Sequence, residues 1–134
     1  MKVYIAAPLA EAPRVHELAA DLFDLGLHVV STWHATTAAV DPHADDVRER
    51  VLEANLAELA HADVLVAVTD RGTPRATFAE IGYALARRTR VIWLAGAAGA
   101  GRCIFDAHAL VTRVTSWADV LDTIRPFRGR SGVA

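Results

Sequence analysis

Short apolar runs alternate with longer helical patterns along this chain, and the alternation predicts its architecture. The runs are rich in β-branched residues, as buried strands are, and they cover residues 3–7, 27–32, 64–68, 91–94 and 110–114. Pro8 ends the first run, because proline cannot donate to a central ladder. Strands that alternate with helices imply right-handed βαβ units and therefore a parallel sheet.

Four helices are predicted between and after these strands. Gly26 is the expected C-cap of the first, which carries Val15, Leu18, Ala19, Leu22 and Phe23 on one face. The second runs from Asp45 or Asp46 to about Ala60, with Val47, Val51, Leu52, Leu56 and Leu59 apolar. The third begins near Ala76, with Phe78, Ile81, Ala84 and Leu85 at helical spacing, and Ser116 caps the fourth, with Val120, Leu121 and Ile124 inward.

This pattern predicts a single α/β domain with helices on both faces of a five-stranded parallel sheet. The short first loop favours the flavodoxin-like, Rossmann-like strand order 2-1-3-4-5. We place the domain at residues 1–126 and a C-terminal tail at residues 127–134.

Composition narrows the function classes. The formal net charge of -2 argues against a nucleic-acid polymer as partner. No apolar run approaches the ~20 residues that span a bilayer, and the residues around the first strand do not show the charged and apolar regions expected of a signal peptide. A single cysteine, Cys103, allows no internal disulfide, which fits a cytoplasmic protein.

Metal and cofactor motifs are absent from the sequence. His34, His43, Asp45 and Asp46 are close in sequence but do not have the spacing of zinc ligands. The glycines at 96, 99 and 101 do not form a dinucleotide fingerprint. We therefore expect neither a metal nor an organic cofactor.

Glu80 is the most informative residue. It follows the carboxyl end of the strand at 64–68, and ligands of open α/β sheets bind at that edge. A carboxylate there can stabilise or trap the positive charge that develops on a sugar when a glycosidic bond breaks. The alternative is a carboxylate that only complements the helix dipole.

Other side chains are predicted at the same edge. Trp33 and His34 follow the second strand, where an aromatic ring can stack on a nucleobase and a histidine can donate to it. The alternative for Trp33 is packing over the edge of the sheet. Tyr4 either reaches the glutamate with its hydroxyl or belongs to the core, and Asp70 either contacts base or sugar or forms a turn.

Three segments of the chain resemble the nucleoside 2-deoxyribosyltransferase family, which includes deoxynucleoside monophosphate N-hydrolases. They read VYIAAPL at 3–9, NLAELAHAD at 55–63 and FAEIGYAL at 78–85, and the resemblance extends over about residues 2–124. It implies that Glu80 is the nucleophile and that residues 4–9, including Ala7 and Pro8, help to form the pocket. It also implies a homodimer or larger assembly, because a neighbouring subunit often completes the site in this family. Arg102, which follows the fourth strand, is a further candidate to bind the substrate.

The chain departs from the family pattern at two positions. Asn55 stands where the family usually carries an aspartate that assists the leaving base or orients the glutamate. Pro74, with Arg75 beside it, stands where an Asp or Ser often contacts base or phosphate, and Arg14 and Arg75 are candidates to bind a phosphate. The expected substrate is a nucleoside or nucleotide, and transfer and hydrolysis both stay open. The alternatives are a monophosphate N-glycoside hydrolase, a non-catalytic nucleotide-binding module and, less favoured, a purely structural or interaction domain.

Overall fold

Five parallel strands form one sheet in the order β2-β1-β3-β4-β5. The computed structural model of the protein describes residues 1–36, 44–96 and 101–126. Its strands are β1 (Lys2–Ala6), β2 (His28–Val29), β3 (Val64–Val68), β4 (Arg90–Leu94) and β5 (Val111–Val114). The predicted fold class and strand order are confirmed. The proposed tail at 127–134, His43 and Gly99 lie outside the described residues.

The described helices are α1 (Ala12–Asp24), α2 (Trp33–Thr36), α3 (Asp45–His61), α4 (Arg75–Ala86) and α5 (Trp117–Ile124). Two short 3-10 turns, Leu9–Glu11 and Ile104–Ala107, were not predicted, nor was α2. Ser116 caps α5 as expected, since its Oγ accepts a hydrogen bond from the Asp119 amide at 3.1 Å. Within the residues that the structure describes, no helix is both long and apolar enough to span a bilayer.

The core lies on both sides of the central strands. Every residue of β3 is buried, which requires cover on both faces of the sheet. α4 contacts β3 and β4, α3 contacts β1, and α5 contacts β4 and β5. Trp93, Tyr4 and Ile81 are among the largest fully buried side chains. Tyr4 is therefore in the core and, as shown below, also beside Glu80.

Two predicted apolar faces differ from the structure. Phe23 is 74% exposed, whereas its neighbour Leu22 is fully buried. Successive helical residues point about 100° apart, so the inner face of α1 that holds Leu22 cannot also hold Phe23. On α3 only Leu59 is buried, and Leu52 is 57% exposed, because only part of this helix reaches the sheet.

The second strand is much shorter than the predicted residues 27–32. The last backbone bond of this ladder runs from the Val30 amide to the Val3 carbonyl at 2.8 Å, and beyond it two side chains bond to the edge of β1. The Ile5 amide donates to Ser31 Oγ at 3.1 Å, and Trp33 Nε1 donates to the Ile5 carbonyl at 2.7 Å. These bonds satisfy the buried backbone groups of β1 without a continuous neighbouring strand.

Candidate active site

The loops after β1 and β3 meet at the carboxyl edge of the sheet. Gly72, in the loop between β3 and α4, has a φ of +73°, and a Cβ placed on it would lie 3.3 Å from side-chain atoms of Pro8. Pro8 follows β1 directly after the buried Ala7. The close approach brings these two predicted pocket residues next to the loop that leads into the helix of Glu80.

Tyr4 and Glu80 come together beneath these loops. Tyr4 is fully buried on β1, where it pairs with Leu65 of β3. Glu80 lies in the second turn of α4 and has one carboxylate oxygen, Oε2, that is buried. Neither Tyr4 Oη nor Glu80 Oε2 makes a hydrogen bond of standard geometry within the described residues. The two groups are nevertheless close enough to perturb each other electrostatically.

Burial controls the charge of this pair. It raises the pKa of Glu80 from 4.5 to about 7, and the Tyr4 hydroxyl opposes that rise as a potential hydrogen-bond donor to the carboxylate. Burial and the neighbouring Glu80 carboxyl raise the pKa of Tyr4 in turn. Tyr4 is therefore a neutral donor near pH 7, while Glu80 exchanges between its acid and carboxylate forms.

The position of Glu80 weakens the helix-dipole alternative. The unpaired amides of α4 belong to its first four residues, and the dipole effect falls off within the first turn. Glu80 is the sixth residue of the helix. A carboxylate placed only to complement the dipole would gain more nearer Arg75 and would not need a buried oxygen.

Asn55 lies on α3, one turn before a carboxylate that sequence analysis missed. Asn55 is partly exposed. Glu58 accepts hydrogen bonds from the Thr32 amide at 3.1 Å and from Thr32 Oγ1 at 2.8 Å, and its charge contributes to the raised pKa of Tyr4. The spacing of three between Asn55 and Glu58 was the available signal, because residues i and i+3 share a helix face. Glu58 thus ties α3 to the segment that carries Trp33.

Trp33 and His34 are both buried at the edge of the sheet. The indole N–H of Trp33 is used by the Ile5 carbonyl, which favours packing over the sheet edge rather than stacking on a base. His34 Nε2 lies 3.3 Å from Ser31 Oγ, and its Nδ1 is buried without a hydrogen-bond partner among the described residues. Burial lowers the pKa of His34, so its ring is neutral near pH 7.

Asp70 is held by an arginine rather than by its own turn. Arg14 Nη1 donates to Asp70 Oδ1 at 2.8 Å, and Nη2 donates to Oδ2 at 2.9 Å. These two bonds hold the pKa of Asp70 below its usual range. Arg75 is exposed at the start of α4, and Arg102 Nε lies 3.4 Å from Asp106 Oδ2.

Gly101 lies against the backbone at the end of β3. Its φ is +79°, and a Cβ there would overlap the carbonyl oxygen of Thr69. Thr69 Oγ1 in turn accepts a hydrogen bond from Trp93 Nε1 at 2.7 Å. The glycine therefore allows the close backbone approach that places Arg102 near the carboxyl edge.

Metal ligands do not cluster in the described part of the chain, where no group of three or more His, Cys, Asp or Glu side chains is suited to hold an ion. Two surface grooves lie away from Glu80. One, of about 390 Å³, runs between β5 and α5, and the other, of about 330 Å³, is lined by Lys2, His28, Val30, Ala57, Glu58 and His61.

A doubly wound sheet with a buried carboxyl of perturbed pKa under its carboxyl-edge loops is typical of enzymes that act on small ligands. The particular family follows from the sequence. Residues 3–112 match the family described as nucleoside 2-deoxyribosyltransferase, and the chain belongs to that family, whose members are N-glycosyl transferases and hydrolases. No protein of curated function matches the chain significantly in sequence.

Solved structures share the fold at low sequence identity. A 2-deoxyribosyltransferase from the psychrotolerant bacterium Bacillus psychrosaccharolyticus is 21% identical, with 90% of each chain covered and a TM-score of 0.67. A conserved protein from Enterococcus faecalis V583 is 20% identical over 94% of this chain and 98% of that one, with a TM-score of 0.71. The CMP N-glycosidase BcmB from Clostridium botulinum is 17% identical over 95% and 99%, with a TM-score of 0.66.

Proposed function

We propose that the protein cleaves or transfers the N-glycosidic bond of a (deoxy)nucleoside or nucleotide, with Glu80 as the nucleophile. The observation that carries this proposal is the buried Glu80 carboxyl beside the Tyr4 hydroxyl, with a pKa of about 7. An ionised, poorly solvated carboxylate suits attack on the anomeric carbon, where positive charge builds as the base departs.

The reaction balances in two steps. In the first, a Glu80 oxygen forms a bond to the anomeric carbon, and the base leaves with the bonding electron pair and takes up a proton. In the second, a nitrogen of another base or a water molecule attacks the same carbon, loses a proton to solvent and releases the Glu80 carboxylate. The base acceptor gives transfer and the water acceptor gives hydrolysis, so the two activities differ only in what reaches the glycosyl intermediate.

Tyr4 acts here as a positioning residue. Its hydroxyl is buried on a central strand, close enough to the Glu80 carboxylate to lower the pKa of that group as a hydrogen-bond donor. A hydrogen-bond donor to one carboxylate oxygen stabilises the charged form and directs the other oxygen toward the sugar.

Asn55 contributes binding rather than proton transfer. Its amide can hold a sugar hydroxyl or the glutamate, but it cannot take up a proton. In this proposal the leaving base takes its proton from solvent or from another group that faces the substrate. The remaining candidates to contact the substrate are Ala7, Pro8, Trp33, His34, Asp70, Arg75 and Arg102.

A second copy of the chain is part of the proposal. Large apolar side chains are exposed on α3 and after β4, where Leu52, Ile104 and Phe105 are 57%, 85% and 48% exposed. Burying them between copies would remove apolar surface from water. Light scattering should show a dimer or larger assembly that Leu52→Glu weakens.

We place the protein in the cytoplasm, acting on small molecules without metal or organic cofactor.

Two alternatives have their own support. Similarity of fold to a CMP N-glycosidase favours a hydrolase of nucleoside 5′-monophosphates. Asn55, which cannot act as an acid, favours a nucleotide-binding module without turnover. In that second case, Asn55→Asp would create activity in an inert protein.

The deciding experiment follows base release and base exchange by chromatography. Purified protein is incubated with a panel of nucleosides and their 5′-monophosphates, with and without a free acceptor base. We expect turnover that Glu80→Gln removes and that the exposed Glu53→Gln on α3 retains. Acceptor dependence then separates transferase from hydrolase. Turnover that survives in Glu80→Gln would exclude Glu80 as the nucleophile.

A further inference from the structure

An ion pair connects the two loops that border the candidate site. Arg14 lies in the first turn of α1, which follows β1, and Asp70 lies two residues beyond β3. They are 56 residues apart in sequence, yet they make two hydrogen bonds of 2.8 and 2.9 Å. The same loops touch at Pro8 and Gly72. The pair therefore stands at the carboxyl edge, between the strand that carries Tyr4 and the loop that leads to Glu80.

The arginines of the described residues divide sharply by exposure. Only Arg14 and Arg102 are partly shielded from water, and each is paired with an aspartate. Arg71 and Arg75, beside the same loop, are exposed. Exposed guanidinium groups interact weakly with anions because water and salt screen them. The cations best placed to hold an anion at this edge are thus already neutralised.

A 5′-phosphate needs a free cationic donor, and the Arg14–Asp70 pair does not offer one. The group carries between about one and a half and two negative charges near pH 7. Arginine binds phosphate best through two parallel N–H bonds. Asp70 takes one N–H from each terminal nitrogen of Arg14 and so occupies one parallel pair of donors, and its own charge would repel a phosphate placed beside it. A neutral sugar hydroxyl meets no such repulsion, and it can donate to a remaining lone pair of Asp70.

We propose that the Arg14–Asp70 ion pair excludes 5′-phosphorylated substrates and makes the protein selective for free nucleosides. The inference rests on the proposed N-glycosyl activity and specifies its substrate class. Asp70 is then a specificity-determining residue: it occupies the guanidinium that would otherwise receive the phosphate.

The test compares kcat/KM for a nucleoside and for its 5′-monophosphate. Wild-type protein should favour the nucleoside by at least about tenfold, and Asp70→Asn should shift this ratio toward the monophosphate by at least about tenfold. The double variant Arg14→Gln/Asp70→Asn should lose that shift, because the released cation is gone. Asp122→Asn breaks an exposed pair with Arg125 and changes the net charge equally, so its ratio should match wild type.

Two results would overturn the inference: a wild-type preference for the monophosphate, or an unchanged ratio in folded Asp70→Asn. If that variant does not fold, inorganic phosphate decides. It should inhibit nucleoside turnover by wild type no more than chloride at equal ionic strength, and specific inhibition contradicts the proposal.

Failure of the underlying activity is recognised separately. If neither substrate series is turned over, the glycosyl activity fails, and thermal shifts of wild type then test recognition alone. Stronger stabilisation by nucleosides than by monophosphates supports the role of the pair. The reverse order, or no shift with either series, contradicts it.

Discussion

The Tyr4 hydroxyl and one oxygen of the Glu80 carboxyl are buried close to each other, the tyrosine on a central strand and the glutamate on the helix packed against it. Burial and the Tyr4 hydroxyl have opposite effects on the pKa of Glu80. Burial raises the pKa of Glu80 to about 7, and the nearby Tyr4 hydroxyl limits that rise. A carboxyl with this pKa changes charge near neutral pH, and several measurable consequences follow from it.

The first prediction concerns the pH dependence of turnover. In the proposed reaction only the carboxylate form of Glu80 attacks, so kcat/KM should rise with pH and level off above about 7, where the free protein has lost the proton. Below that value, kcat/KM should fall about tenfold for each pH unit. A profile measured from about pH 5 to 9 tests this. A plateau that extends down to pH 5 would mean that the essential carboxyl is not Glu80 or is not buried.

The second prediction concerns Tyr4→Phe. The substitution removes the donor that lowers the pKa of Glu80, so the acidic limb of the pH profile should move to higher pH. At pH 7 we expect kcat/KM to fall by about tenfold or more, with partial recovery at pH 9. The recovery distinguishes a positioning role from simple damage to the core, which higher pH would not repair.

A matched control exists for that variant. The chain has one other tyrosine, Tyr83, which lies on the same helix as Glu80 and has the Arg87 guanidinium 5.6 Å from its ring centre. Tyr83→Phe should leave the limb where it is in wild type. Equal shifts in the two variants would show that the hydroxyl of Tyr4 has no special relation to the glutamate.

The third prediction concerns stability. The pKa of Glu80 is raised from 4.5 to about 7 on folding, so the folded state binds the proton more tightly than the unfolded state. Its contribution is therefore fully present below about pH 4.5 and is lost as pH rises through about 7. The loss amounts to roughly 3 kcal/mol at most.

Urea denaturation at about pH 5 and pH 8.5 measures this effect. Glu80→Gln keeps the size of the side chain and cannot ionise, so its free energy of unfolding should gain on wild type by roughly 2–3 kcal/mol between the two pH values. Glu53→Gln, at an exposed position of α3, should show no such gain. If both variants track wild type equally, Glu80 is not desolvated in the folded protein.

Local patterns were enough to predict much of this molecule. The parallel sheet follows from short apolar runs that alternate with helices, because βαβ crossovers have one hand, and the short first loop favours the observed strand order. The position of Glu80 near the carboxyl end of β3 follows from the same alternation. Residues 64–68 and α4 contain no competing signal, since every residue of that strand is apolar and the helix has no internal proline.

What could not be predicted depends on partners that are distant in sequence. The position of Trp33 in the sequence makes it a candidate to stack on a base. Only the structure shows that β2 is short and that the Trp33 indole N–H donates to the Ile5 carbonyl instead. The partner of Asp70 likewise cannot be predicted from the neighbouring sequence, because Arg14 is 56 residues away. The prediction that Phe23 is buried was wrong for a different reason. Helical spacing does not show how wide the buried face of a helix is, and in α1 that face includes Leu22 but not Phe23.

The last prediction compares two glycines with positive φ, Gly26 and Gly101. Gly26 has a φ of +82° and no atom within 4 Å of where a Cβ would stand, so Gly26→Ala should cost only the backbone strain, about 1–2 kcal/mol. Gly101→Ala adds a clash with the Thr69 carbonyl oxygen, and backbone cannot move aside as a flexible side chain can. We expect it to cost about 3 kcal/mol or more in urea denaturation. Because Thr69 anchors Trp93, Gly101→Ala should also change tryptophan fluorescence, whereas Gly26→Ala should not. Equal costs for the two variants would mean that Gly101 does not lie against the Thr69 carbonyl.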